Sequence, residues 1–194
     1  MANTVGSLTK EQKSIIVGSL LGDATMRKKT NAYLEINHAY SQKILVDWFY
    51  SKFSNFVLTP PKWRKGNGDR EAYRFFTRSL PIFTSFYNQF FIGGRKIIPK
   101  NLKLNALSLA VWFMDDGSKS RSSVYLNTQQ FSIKEQFELI EILKNQFGLL
   151  ATLNKDKKYF RIRIRTESIK SFIKLTEKHI LPDFRYKLPL VMTP

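Results

Sequence analysis

Apolar residues recur along this chain with two periods, three-to-four residues and two, and the switches between them mark out its elements. Thr9 followed by Gln12 has the form of a capping box and opens a helix expected to end near Asp23–Ala24. A polar basic turn at Arg27-Lys28-Lys29 precedes a strand over Tyr33–His38, and Ser41 is placed to cap a second helix through Ile44, Val46, Trp48 and Phe49. Residues 63–70 read as a hairpin, with turn residues between flanking strands. The strand that follows, 70–78, sets Arg70, Arg74 and Arg78 on one face by its period of two. A third helix, opened by Ser79 and Pro81, carries Phe83, Phe86, Tyr87, Phe90 and Phe91 at helical spacing, the stripe of a core.

Gly93–Lys100 breaks the pattern, and a boundary near Pro99 divides the chain into 5–98 and 99–194. The order then repeats. A helix over about 106–116 leads to a strand at 124–129, and Ser132 with Glu135 forms a second capping box for a helix through Phe137, Ile140, Leu143 and Phe147. A turn at 154–158, a strand to Arg165 and a helix over about 167–179 complete it. The whole pattern recurs after about 95 residues.

The recurrence is sharpest at two apolar helical runs, Ile16–Ala24 and Leu109–Gly117, each with small residues near its start and a carboxylate at its end. A helix C-terminus is the negative end of the macrodipole, so an Asp there is disfavoured by about 0.3–1 kcal/mol. Two such groups brought together by packing the runs against each other repel further, and a divalent cation removes both penalties. The sequence has no cysteine and only His38 and His179, so thiol chemistry and a histidine cage are excluded. Oxygen ligands favour Mg²⁺, Ca²⁺ or Mn²⁺.

Charge narrows the partner. Against 15 acidic side chains stand 32 Lys and Arg, a net +17, which points to a polyanion: nucleic acid by default, an anionic membrane as the alternative. No apolar run reaches the roughly 18–20 residues of a membrane span, and residues 1–13 lack the pattern of a signal peptide, so a soluble intracellular chain is expected. In Phe160–Arg165, alternation puts Phe160, Ile162 and Ile164 on one face and Arg161, Arg163 and Arg165 on the other. Three guanidiniums in a row call for an anion across them, or else a solvated face with scattered partners. Arg reads guanine and Asn or Gln reads adenine in the major groove, which suits a sheet facing nucleic acid.

Taken with Lys96-Ile97-Ile98-Pro99, Leu126-Asn127-Thr128-Gln129-Gln130-Phe131 and Tyr186-Lys187-Leu188-Pro189, the two runs resemble the LAGLIDADG homing endonucleases in their single-chain, two-motif form, of the omega-type intron-encoded branch known from yeast mitochondria. The resemblance implies a pseudo-twofold α/β (α+β) fold and a monomer. Its motif helices pack through small residues such as Gly18, Ser19 and Ala110, and two saddle-shaped antiparallel sheets straddle double-stranded DNA. It implies Mg²⁺-dependent hydrolysis of one phosphodiester per strand, leaving four-nucleotide 3′ overhangs and 5′ phosphates, with Mn²⁺ able to substitute and Ca²⁺ supporting binding alone. Asp23 and Asp116 hold the essential motif position. Gly22, Ala24 and Asp115 flank them at the metal centre, Asp115 without a symmetric counterpart because the first motif has Gly22 there. Lys96 and Lys187 match the active-site lysines, Gln129 a polar residue that orders water, and His38 its counterpart in the first repeat. Arg70, Arg74, Arg78, Arg161, Arg163, Arg165 and Asn127 are the expected DNA contacts. Ala24 stands where the motif usually has Gly, and Ser19 where an aliphatic residue is usual; neither removes a carboxylate. An intron-RNA maturase and a non-cleaving DNA-binding protein of the same fold remain as alternatives, and an organellar origin rests on the resemblance alone.

Overall fold

A computed structural model describes residues 6–65 and 71–189 of the chain. They group into two units: the residues up to Lys13 with Asp23–Gly94, and Ser14–Gly22 with the residues from Arg95 onward. Helix α1 (Lys10–Leu21) therefore starts in the first unit and lends most of its length to the second. Its capping box forms as expected: the Gln12 N–H donates to Thr9 Oγ1 at 3.1 Å and the Thr9 N–H to Gln12 Oε1 at 2.9 Å. The helix stops earlier than its pattern suggests. Gly22 N–H turns back to the Ser19 carbonyl at 3.1 Å, which leaves Asp23 in the turn beyond the helix.

In the first unit β1 (Thr25–Lys28), β2 (Ala32–Ala39), α2 (Lys43–Phe53), β3 (Lys62–Lys65), β4 (Glu71–Phe76), α3 (Pro81–Phe90) and β5 (Phe91–Ile92) follow in order. The four long strands form an antiparallel sheet in the order β1-β2-β4-β3. Helices α2 and α3 pack on one face of it, and Leu34, Ile36, Phe49, Phe53, Phe75 and Phe83 fill the space between. Arg27 and Lys28, read from sequence as a turn, belong to β1. Met26 is buried in the same alternation, and pairing with Tyr33 and Ala32 satisfies backbone groups that a turn would leave to water, so the turn moves to 29–31.

Three further expectations change here. Ser41 caps nothing: Tyr40–Gln42 form a 3₁₀ turn and α2 starts without a side-chain cap. Ser79 donates to the Asn31 carbonyl at 2.6 Å instead of capping α3, which starts at Pro81 with the fixed φ that suits a first helical position. The arginine face of 70–78 is reduced to Arg74. Arg70 lies outside the described residues, and Arg78 lies past the strand end. The cause is Thr77: its hydroxyl, in place of a carbonyl, accepts the Leu34 N–H at 2.9 Å, and the ladder ends.

Gly93 and Gly94, at φ 56° and 80°, make the left-handed turn leading to β6 (Arg95–Lys96). In the second unit follow α4 (Ala106–Asp116), β7 (Gly117–Ser120), β8 (Ser123–Leu126), α5 (Ile133–Phe147), β9 (Ala151–Asp156), β10 (Tyr159–Ile164) and α6 (Ile169–Thr176). The sheet order β7-β8-β10-β9 repeats that of the first unit, again antiparallel throughout. The fold is α+β with two four-stranded antiparallel sheets, as expected.

Helix α4 runs where its pattern places it and is buried without interruption from Ser108 to Asp115, as a helix apolar on all sides must be. Its cap, Asn105 with Ser108, was not anticipated. The capping box of α5 forms, and Gly148 closes it at φ 66°. The strand expected over 124–129 ends at Leu126, because the Asn127 N–H goes to the Asp116 carbonyl at 3.2 Å. The turn expected at 154–158 shrinks to Lys157–Lys158, with Lys157 at φ 55°. Asn154, Lys155 and Asp156 pair instead with Arg161, Phe160 and Tyr159. The helix expected to reach His179 ends at Thr176 and tightens into a 3₁₀ turn.

Candidate functional site

Within the second unit the segment Ser14–Gly22, which is the body of α1 and the turn residue after it, lies against α4 at glycine distance. A Cβ on Gly18 would stand 2.4 Å from the Ser108 carbonyl and 2.8 Å from Val111 Cβ; one on Gly22 would stand 2.2 Å from Asp115 Oδ2. Gly18 and Gly22 are four residues apart, as are Val111 and Asp115, so matching faces meet. Gly18 thus has the packing role expected of it. Gly22 shares that role, Asp115 is its buried neighbour, and Ser19 and Ala110 are buried beside them.

Each motif helix has an Asp at or just past its end and a lysine on one of its last carbonyls or the one that follows. After α1 comes Asp23, its side chain 51% exposed. The Gly22 carbonyl just before it accepts from Lys96 Nζ at 2.8 Å and from Gln130 Nε2 at 3.0 Å, and Gln130 also reaches the Leu21 carbonyl at 3.2 Å. Helix α4 ends in Asp116, half-buried, and the Met114 carbonyl accepts from the buried Lys187 Nζ at 2.6 Å. Cations at helix C-termini satisfy orphan carbonyls and oppose the macrodipole. The helix-end penalty read from sequence is therefore offset in part by two lysines.

Other expected site residues take distinct places. His38 is buried on β2, stacks on Phe49, and brings Nδ1 to 3.8 Å from Asp23 Oδ2. Ala24 is buried behind Asp23. Beside Asp116 stands Asn127, donating from Nδ2 to Asp116 Oδ1 at 3.3 Å. Gln129 donates to Asp156 Oδ2 at 2.9 Å, and its neighbour Gln130, which sequence reasoning passed over, attends the end of α1. No local signal marked Gln130, because it lies in the turn past the end of β8, where strand alternation does not apply. Glu135 does more than cap α5. Its carboxylate accepts from the Ile98 N–H at 3.3 Å and pairs with Arg95, gripping both sides of the Lys96 segment. Burial pushes its pKa up, but the hydrogen bonds from Ser132, the Arg95 charge and the Ile98 N–H outweigh burial and hold it below the ordinary 4.5.

On the second sheet, Ile162 and Ile164 are buried and Arg161 and Arg163 take the opposite face. The Arg161 guanidinium lies 4.1 Å from the centroid of the Tyr125 ring, and Arg163 Nε donates to Ser123 Oγ at 3.2 Å. Arg165 lies past the strand end and pairs with Glu167 at 2.7 Å, so the row of three is a row of two.

Among the described residues no three His, Cys, Asp or Glu side chains cluster as a cage. Mg²⁺ is commonly held by only one or two carboxylates, with water and substrate phosphate completing its shell, and the half-exposed Asp23 carboxylate is an oxygen ligand of that kind.

The profile of the LAGLIDADG DNA endonuclease family matches residues 13–172, and the chain belongs to that family. It is 30% identical over 210 residues to cytochrome b mRNA maturase bI2 of Saccharomyces cerevisiae, an alignment covering 97% of this chain and 49% of that protein, so the chain spans about half the length of that relative. It is 29% identical to probable intron-encoded endonuclease 1 of Wickerhamomyces canadensis over 94% of this chain and 85% of that one. Its fold is similar to that of the homing endonuclease I-WcaI bound to its DNA recognition sequence, with a TM-score of 0.88, 27% identity, and coverage of 96% and 89%. Among the described residues no helix is long and apolar enough to cross a membrane.

Proposed function

We propose that this chain is a monomeric, site-specific homing endonuclease that hydrolyses one phosphodiester in each strand of a long DNA target and leaves four-nucleotide 3′ overhangs. One observation carries the reading: each motif helix is followed or ended by an Asp, and a lysine from elsewhere in the chain seats on a carbonyl one or two residues before it. Asp23 and Asp116 are the catalytic carboxylates and hold divalent cations, Mg²⁺ in the first instance. Bound there, such cations would supply an activated water and would neutralise charge on the leaving oxygen. Lys96 and Lys187 seat ammonium groups on carbonyls that precede the two carboxylates in sequence, and their role is to stabilise anionic oxygen as charge develops. Asn127 holds one Asp116 oxygen, and His38 faces Asp23, so each carboxylate is oriented from an adjoining strand or loop. Arg74 on one sheet and Arg161 and Arg163 on the other face the duplex.

Incubation with a randomised duplex library and Mg²⁺ tests this and recovers the target. Asp23→Asn or Asp116→Asn is expected to abolish double-strand cleavage while duplex binding in Ca²⁺ persists; ordinary cleavage rates in either variant overturn the assignment. The likeness to a bI2 maturase favours a second activity, binding of intron RNA. It does not call for the two carboxylates, so RNA affinity is expected to survive both substitutions.

A further inference from the structure

The outer face of the first sheet, opposite α2 and α3, contains a carboxylate where a surface built to follow phosphates would have none. Alternation places Arg27, Glu35 and Arg74 on this face from three adjacent strands. Glu35 sits between the two arginines: Oε2 accepts from Arg27 Nε at 3.0 Å, and Oε1 lies 3.8 Å from Arg74 Nη1. The order of exposure is telling. The Glu35 side chain is 5% exposed, Arg74 26% and Arg27 67%, so the guanidiniums lie over the carboxylate. Arg27 spends its Nε on Glu35, which directs its two Nη nitrogens to the outer end of the side chain. Arg74 is held a second time, its guanidinium 5.0 Å from the Phe76 ring centroid, and Phe76 meets Tyr33 edge-on at 5.8 Å.

A buried carboxylate lowers the positive charge of this patch and so lowers its attraction for any phosphate. What it provides is orientation: two guanidinium forks fixed before the partner arrives. Orientation matters little to a phosphate, which accepts from many directions, and much to the O6 and N7 of guanine, which Arg reads as a bidentate pair.

Resting on the nuclease reading above, we propose that Arg27-Glu35-Arg74 is a base-reading cluster that recognises guanine in the major groove of the half-site contacted by the first sheet, with Glu35 as the positioning residue. Arg27 is absent from the contacts the motif pattern suggests, because its segment reads as a turn.

Glu35→Gln is isosteric and keeps an acceptor while deleting the charge. With the selected target in Ca²⁺, it is expected to reduce discrimination at one or two adjacent guanine-containing base pairs about tenfold. Affinity for unrelated duplex should stay equal or rise. Arg27→Lys keeps the charge and loses the fork. It should lose preference at the same pairs with unrelated-duplex affinity unchanged. Melting curves accompany both variants. If Glu35→Gln leaves base preference intact, or weakens all sequences alike, the cluster does not read bases and the inference falls while the nuclease reading stands. A wild-type chain that binds no duplex overturns both.

Discussion

At the residue scale Gly22 is constrained twice, through its carbonyl and through its missing side chain. Its carbonyl receives Lys96 and Gln130, and its missing side chain is what lets Asp115 lie where it does. Sequence showed the small residues at this spacing and assigned Gly22 to the metal centre; that its hydrogen would touch a buried carboxylate depends on the partner helix and is not a local property. Gly22→Ala would bring a methyl within 2.2 Å of Asp115 Oδ2. Differential scanning calorimetry should show a loss of about 1–3 kcal/mol, the usual cost of overpacking. Combining it with Asp115→Ala should recover part of the loss, since touching residues couple. The arginines show the converse limit. Arg161 and Arg163 were legible because Ile162 and Ile164 alternate with them, whereas Arg165 and Arg78 were carried past strand ends that the alternation alone does not mark.

At the element scale, helices were read well and polar strands poorly. Helices α1, α4 and α5 announce themselves by apolar period and, for α1 and α5, by capping boxes whose partners lie three residues apart. Strands β7 and β9 have few apolar residues, as Gly117–Ser120 and Ala151–Asp156 attest; they exist because a neighbouring strand offers a ladder. The reach of Glu135 from its own cap to Arg95 and Ile98 was equally invisible, since it joins residues far apart in sequence. That carboxylate gives a pH dependence of known sign. Its folded pKa lies below the ordinary 4.5, so its contribution is present above that value and is lost as pH falls through the lowered folded value. Thermal melts of wild type and Glu135→Gln should differ near neutrality and converge in acid. A constant gap down to strongly acidic pH would show that the charge contributes nothing.

At the scale of the whole molecule the +17 charge and the two sheets make one quantitative claim. If about ten phosphates are neutralised, log K for duplex DNA falls with log salt at a slope near −9. A fluorescence-anisotropy titration over a range of KCl measures it, and a nearly flat line would contradict the nucleic-acid reading of the charge. The repeat itself, and with it the class of protein, was legible because two apolar helices with terminal carboxylates recur in register with their strands. How the residues group was not, because Ser14–Gly22 is claimed by the residues from Arg95 onward.

That claim bears on how such chains can be inherited. Cut at Gly94, the C-terminal piece would keep α4 with its Val111 and Asp115 seats but lose Gly18 and Gly22, and the N-terminal piece would carry those glycines with nothing for them to fit. A recombination that swaps halves between relatives therefore passes on a lock from one parent and a key from the other. A parent with a bulkier residue at either glycine position passes on an overpacked seam, at a cost of about 1–3 kcal/mol to offspring whose other parent has not made room at positions 111 and 115.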